Sequence, residues 1–139
     1  MYKKVMVAID DSEISRGALQ EAVQIATAYG ARLSIVHAVQ GAEDDSAGSR
    51  RRGAAQLLEQ AMSAAGNNLA AESRVLEAEA DLGISGIPEA IAGAVTEWGA
   101  DLLVVGSQGR RGLQRLVIGS VAEQLISEVG ISIFLVRLH

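Results

Sequence analysis

A glycine-rich stretch between an apolar run and an amphipathic segment most constrains how this chain can fold. Residues Leu102–Val105 form a short apolar run, which predicts a buried strand. Gly106 and Gly109 follow, and Gly119-Ser120 come after nine further residues, directly before apolar residues at helical spacing. A strand, a glycine-rich loop and a helix N-terminus in this order are typical of an anion-binding site. Glycines let the backbone come close to the anion, and the first helical turn presents free N–H groups.

The composition narrows the class of protein. Of 139 residues, 49% are hydrophobic and only 3% are aromatic, which favours an α/β domain with buried parallel strands. The net charge of −5 argues against nucleic-acid binding driven by bulk electrostatics, and the absence of cysteine excludes disulfides and thiolate ligands. No apolar run reaches the length of a membrane span, and the N-terminus does not read as a signal peptide. We therefore expect one domain, residues 1–139, in the cytoplasm.

Predicted strands and helices alternate along the chain. The apolar runs predict five strands, at Lys4–Ile9, Arg32–Val39, Ser73–Ala80, Leu102–Val105 and Ile131–Val136. Helical periodicity predicts four helices, which follow Ser12, cover Ala54–Leu69, start near Ser85 and start at Gly119. The polar stretch from Gln40 to Gly53 is predicted to be a loop. Strands joined by crossover helices lie parallel, so we predict a three-layer α/β/α fold with a doubly wound five-stranded parallel sheet.

The ends of two strands point to one site. In such sheets, ligands bind at the carboxyl ends of the strands where the strand order reverses. The first strand leads into Asp10 and the fourth into Gly106. If these strands are neighbours, the carboxylate and the glycine loop face the same crevice.

The motif also resembles that of a known family. Gly106, Gly109 and Gly119-Ser120 reproduce the pattern Gly, two residues, Gly, nine residues, Gly-Ser that is similar to the nucleotide motif of the universal stress protein family, as in UspA-like members. The segments VMVAIDDS, GIPEAI and GADLLVVGSQGR resemble other parts of the family's sequences. The resemblance implies the strand order 3-2-1-4-5 and ATP binding, with magnesium as a candidate companion ion.

The resemblance also implies a role for each residue of the motif. Ala8 and Ile9 would line the base pocket, Asp10 would contact the ribose or a metal, and Val39 would meet adenine through its main chain. The residues that would lie under the ribose and phosphates or hold the phosphates are Gly106, Gln108, Gly109, Gly119, Ser120 and Val121.

The last strand supports a second hypothesis. Members of the family often carry a Cys-Pro-Val run before this strand, whereas this chain has Ile131-Ser132, as in the branch that tends not to bind ATP. The alternative to an ATP-binding stress protein is therefore a nucleotide-free dimeric protein of the same fold. The apolar run Ile133–Val136 would form an edge strand that needs a partner or a cover. The resemblance implies antiparallel pairing of this strand between two chains, so we predict a homodimer in either case.

Other interpretations concern single residues. Asp10 and Asp11 could merely cap a helix, and His37 in a predicted strand is expected to be a packed histidine. A phospho-accepting receiver domain would need an aspartate after the third strand and a lysine after the fifth. Glu79 and Asp81 fit the first requirement poorly, and no lysine follows Lys4. The chain also lacks a P-loop, a GxSxG nucleophile motif and a metal-ligand cluster. We therefore predict a binding protein, with at most incidental ATP hydrolysis, rather than an enzyme.

Overall fold

A computed structural model of the chain describes residues 1–40, 48–79, 82–83, 86–108 and 118–137. It contains five strands, β1 Lys4–Ala8, β2 Arg32–Gln40, β3 Ala71–Ala78, β4 Leu102–Gly106 and β5 Ser132–Val136. Four helices alternate with them, α1 Glu13–Tyr29, α2 Ser49–Ala65, α3 Gly86–Trp98 and α4 Ser120–Glu128. Among the helices that fall within these ranges, none has the length and apolarity needed to span a membrane.

The five strands form one parallel sheet with the order β3-β2-β1-β4-β5. This confirms the predicted α/β class and strand order. Ala8 at the end of β1 pairs with Val36 of β2 and with Val105 of β4. The chain continues from β1 to β2 on one side and enters β4 on the other, so the strand order reverses here. The predicted crevice therefore lies between β1 and β4.

Helices cover both faces of the sheet, which explains the continuous apolar runs in the central strands. Val5 and Val7 of β1 face the core under α1 and α2, whereas Met6 faces the core under α3 and α4. Leu103 and Val104 of β4 are likewise divided between the two faces, and both are completely buried. Strands that are buried on both sides cannot show the alternation of a half-exposed strand. Packing on both faces thus fixes the positions of the strands and of the residues at their carboxyl ends.

Helix α2 corrects the second part of the predicted loop from Gln40 to Gly53, of which residues 41–47 lie outside the described residues. Gln40 is the last residue of β2, and α2 begins at Ser49 and ends at Ala65 rather than covering Ala54–Leu69. Its first turn carries Arg50, Arg51 and Arg52 and has no apolar stripe, so hydrophobic periodicity could not detect it. Arginine is nevertheless a good helix former. Two side chains tie this turn to the sheet, with Arg50 donating to the Gln40 carbonyl at 2.8 Å and Arg51 paired with Glu77 at 2.5 Å.

Strand β3 also lies two residues earlier than predicted, at Ala71–Ala78 instead of Ser73–Ala80. Its pairing with β2 begins at Ala71, opposite Leu33. Four of its eight residues are exposed, and β3 is an edge strand. The predicted alternation was weak for the same reason.

Candidate functional site

A cavity of about 990 Å³ opens at the carboxyl ends of the central strands. The turn after β1, the ends of β2 and β4, and the first turns of α2 and α4 contribute to its wall. Nine of the ten residues predicted from the sequence line it, namely Ala8, Ile9, Asp10, Val39, Gly106, Gln108, Gly119, Ser120 and Val121. The tenth, Gly109, lies outside the described residues.

The turn after β1 places a carboxylate in the cavity wall. Asp10 Oδ1 accepts hydrogen bonds from the Ser12 backbone N–H at 2.9 Å, from the Ser12 hydroxyl, and from the Ser15 hydroxyl at 2.9 Å. Asp10 Oδ2 accepts no hydrogen bond from the described part of the chain. One oxygen thus holds the turn, while the other is left for a ligand.

The helix after this turn is capped by Ser12 and not by Asp10. The Ser12 side chain accepts from the Ser15 backbone N–H at 3.3 Å, which is the usual N-cap interaction. The hypothesis that Asp10 and Asp11 serve only as helix caps is therefore wrong in its simplest form. Asp10 supports the capping residue, and both aspartates line the cavity.

The end of β4 leaves room for the backbone only. A Cβ atom at Gly106 would lie 3.1 Å from Ile14 Cγ2 and 3.2 Å from the Gln108 carbonyl oxygen, so a side chain would require its neighbours to move. The next residue, Ser107, donates its N–H to the Val136 carbonyl at 2.8 Å and accepts from the Gly119 N–H at 2.7 Å. These bonds join the end of β4 to β5 and to the start of α4.

The N-terminus of α4 opens into the cavity without a side-chain cap. Gly119 occupies the N-cap position and makes no side-chain hydrogen bond to the helix. The first bond of the helical pattern runs from the Glu123 N–H to the Gly119 carbonyl at 2.9 Å. The N–H groups of Ser120, Val121 and Ala122 therefore lie before the first helical bond, at the positive end of the helix dipole. All three residues line the cavity, which makes this turn suited to an anion.

The other side of the cavity is mostly apolar. Ala8, Ile9 and Val39 are joined there by residues that were not predicted from the sequence, which include Ala38, Leu57, Ile87 and Ile91. Leu57, Ile87 and Ile91, the helical residues among them, lie outside the glycine motif singled out in the sequence. Only Ile87, the second residue of α3, carried a signal, because helix N-termini meet the carboxyl ends of strands in this topology. The apolar wall suits a flat ring.

The expectation that His37 is a packed histidine is met only in part, because the residue also lines the cavity. The ring is half-buried, and its Nδ1 lies 2.7 Å from the Ile9 carbonyl oxygen. A carbonyl only accepts hydrogen bonds, so Nδ1 must carry the proton. The ring is thereby held against the turn after β1. In the part of the chain that the structure describes, no cluster of three or more histidine or acidic residues could hold a metal ion.

Comparisons with known proteins agree with this architecture. A profile described as the universal stress protein family matches residues 1–137. The universal stress protein YxiE of Bacillus subtilis is 33% identical over 138 residues, which cover 90% of this chain and 92% of that protein. Among solved structures, a universal stress protein in complex with cAMP is 28% identical, with a TM-score of 0.75 over 97% of each chain.

A second solved structure has the same fold at lower identity. The universal stress protein from Archaeoglobus fulgidus in complex with dAMP is 21% identical, with a TM-score of 0.69 over 97% of this chain and 98% of that one. The profile match covers nearly the whole chain, and the strand order and the place of the cavity agree with the fold expected from the motif. The chain belongs to the universal stress protein family.

Proposed function

We propose that this protein binds ATP in the cavity between β1 and β4 and acts as a nucleotide-binding stress-response protein. One observation carries the proposal: an apolar wall, a carboxylate oxygen without a hydrogen-bond partner in the described chain, and an uncapped helix N-terminus share one cavity. These features match the base, ribose and phosphates of a nucleotide in chemistry. The relative solved with cAMP, at 28% identity, adds support for an adenine nucleotide.

The arrangement of the wall suggests how the nucleotide would lie. The base would pack among Ala8, Ile9 and Val39, and a ribose hydroxyl would donate to Asp10 Oδ2. The phosphates would lie over Gly106 and accept from the first turn of α4. Asp10 and Asp11 are the carboxylates that line the described part of the cavity, so either could help to hold a magnesium ion that accompanies the phosphates.

Calorimetric titration with ATP and magnesium tests the proposal. We expect saturable binding at one site per chain, and free ATP at about 100 times its Kd should raise the free energy of unfolding by about 2.7 kcal/mol. A phosphate-release assay in the same solution should show turnover far below the roughly 1–1000 s⁻¹ of typical enzymes, because no nucleophile and base are paired in the sequence. No heat and no thermal shift at millimolar ATP would instead favour the nucleotide-free alternative.

We also propose that the protein forms a homodimer through β5. The two edges of the sheet differ in character. The side chains of β3 make three ion pairs across the surface, Arg32–Glu72, Arg51–Glu77 and Arg74–Glu97. By contrast, Ser132–Val136 contains no charge, and its Phe134 side chain is 39% exposed. Charges on an edge strand oppose pairing with another chain, whereas an apolar edge invites it.

Replacing an exposed apolar residue of β5 by a charged one tests the dimer. We expect the parent protein to sediment as a dimer and the Phe134→Lys variant as a monomer, because the lysine would meet its own copy or an apolar surface at the interface. Exposed Tyr29, changed to lysine on α1, is the matched control and should leave the dimer intact. A parent protein that sediments as a monomer at all concentrations would contradict the proposal.

A further inference from the structure

Ser15 is a buried polar residue whose hydroxyl serves the turn before its own helix. It is the third residue of α1, is only 6% exposed, and borders the cavity beside Asp10. Its neighbours on the same helix face, Ala18 and Ala22, are apolar and completely buried. A hydroxyl among them loses water, and it is tolerated because it has hydrogen-bond partners.

Both partners of the Ser15 hydroxyl belong to Asp10. The Oγ atom accepts from the Asp10 backbone N–H at 2.9 Å and donates to Asp10 Oδ1 at 2.9 Å. One side chain therefore grips the backbone and the carboxylate of the same residue, which limits rotation of that carboxylate. The Ser12 N–H, also at 2.9 Å from Oδ1, adds a third direction of restraint. With Oδ1 held in this way, the position of Oδ2 is determined.

We propose that Ser15 is a positioning residue of the nucleotide site, which directs Asp10 Oδ2 toward a ribose hydroxyl and so makes binding depend on the hydroxyls of the sugar. This inference rests on the proposed ATP function. It adds a residue that would not itself contact the ribose. The side chain acts through Asp10, whose Oδ1 it occupies and whose Oδ2 it leaves available.

The role of the Ser15 side chain in the site can be tested without disturbing the cap of α1. The cap bond to Ser12 uses the backbone N–H of Ser15, which remains in a Ser15→Ala variant. Alanine is also a better helix former than serine. The variant should therefore stay folded while the Asp10 carboxylate gains freedom. The Asp10 amide should exchange with solvent faster in this variant, since its hydrogen-bond acceptor is removed.

The test compares two ligands on matched variants. ATP and 2′,3′-dideoxy-ATP are titrated into the parent protein, Ser15→Ala, and Ser34→Ala, which removes a similarly buried hydroxyl from β2. We expect Ser15→Ala to weaken ATP binding by about tenfold, because a charged hydrogen bond to the ribose becomes poorly oriented. Binding of the dideoxy analogue should change less than about twofold in the same variant. Ser34→Ala should bind both ligands like the parent.

Further arms identify the cause of any loss. In an Asp10→Ala background, Ser15→Ala should cause no additional loss of ATP affinity, since residues that act as a unit are not additive. Ser15→Cys keeps the volume but weakens the hydrogen bonds, and it should repeat the loss if the alanine variant is unstable. If Ser15→Ala lost equal affinity for both ligands, or bound ATP like the parent, the role of Ser15 would be wrong while the proposed ATP function would stand. A parent protein that binds neither ligand would overturn the proposed function and the inference with it.

Discussion

Replacing Gly119 by aspartate is expected to lower ATP affinity about 100-fold without destabilising the fold, since like charges at close range cost several kcal/mol near a protein surface. Gly119 is the N-cap of α4, with φ −67° and ψ 160°, a conformation open to any L-residue. An aspartate there would cap the free N–H groups of the first turn and repel the phosphates. Thermal unfolding and calorimetric titration would measure the two effects separately.

The sign of the change in the free energy of unfolding distinguishes a specific loss of ATP affinity from a loss caused by unfolding. Because aspartate is a better N-cap than glycine, Gly119→Asp should raise the free energy of unfolding by a few tenths of a kcal/mol. Gly119→Asn is the matched control: it caps in the same way without a charge and should lose less affinity. Added salt should narrow the gap between the two variants through screening. An aspartate variant that binds ATP as tightly as its asparagine control would exclude phosphate binding at this helix.

Truncating Leu103 to alanine is expected to destabilise the protein by about 3 kcal/mol, within the range of buried Leu→Ala changes. Leu103 lies in β4, is completely buried, and pairs with Met6 of β1 and Ile133 of β5. The cavity left behind would lie under α3 and α4, on the far side of the sheet from α1. Urea unfolding would measure the loss.

The same variant shows whether the site depends on the sheet or on the turns above it. Below its unfolding midpoint, Leu103→Ala should bind ATP with the affinity of the parent, because the turn after β1 and the start of α4 keep their hydrogen bonds. Leu135→Ala, at a half-buried position of β5, serves as a milder control and should cost less. A loss below about 1 kcal/mol for Leu103→Ala would contradict the close packing assigned to β4.

The fold could be predicted from the sequence wherever apolar residues carried the signal. The buried runs at β1, β2 and β4 were recognised to within a residue, since burial on both faces demands continuous apolar sequence. The edge strand β5 was recognised to within a residue from its apolar run alone. The start of α2 was missed for the opposite reason. Its arginines form polar contacts with the Gln40 carbonyl and with Glu77, which no periodicity reveals. The exact limits of β3 depend on which of its residues pair with β2, and the sequence of β3 alone does not show this pairing.

The candidate site was predictable in part for a comparable reason. Gly106 lies where a side chain would crowd its neighbours, and Gly119-Ser120 lie where a helix begins. Both situations restrict which residue types can occupy the position, so they are visible in the sequence. Ser15 and His37 gave no such signal. A serine in the third position of a helix and a histidine in a strand are ordinary residues until the turn after β1 brings the Asp10 carboxylate and the Ile9 carbonyl to them.

The most direct test of the central claim is the set of backbone amide shifts, measured by two-dimensional NMR of isotope-labelled protein during titration with ATP and magnesium. The account predicts that the largest changes fall on Asp10, Val39 and the first turn of α4, Ser120–Ala122, with β3 and the C-terminal half of α1 unaffected. The reverse pattern, or no change at saturating ATP, would contradict nucleotide binding in this cavity.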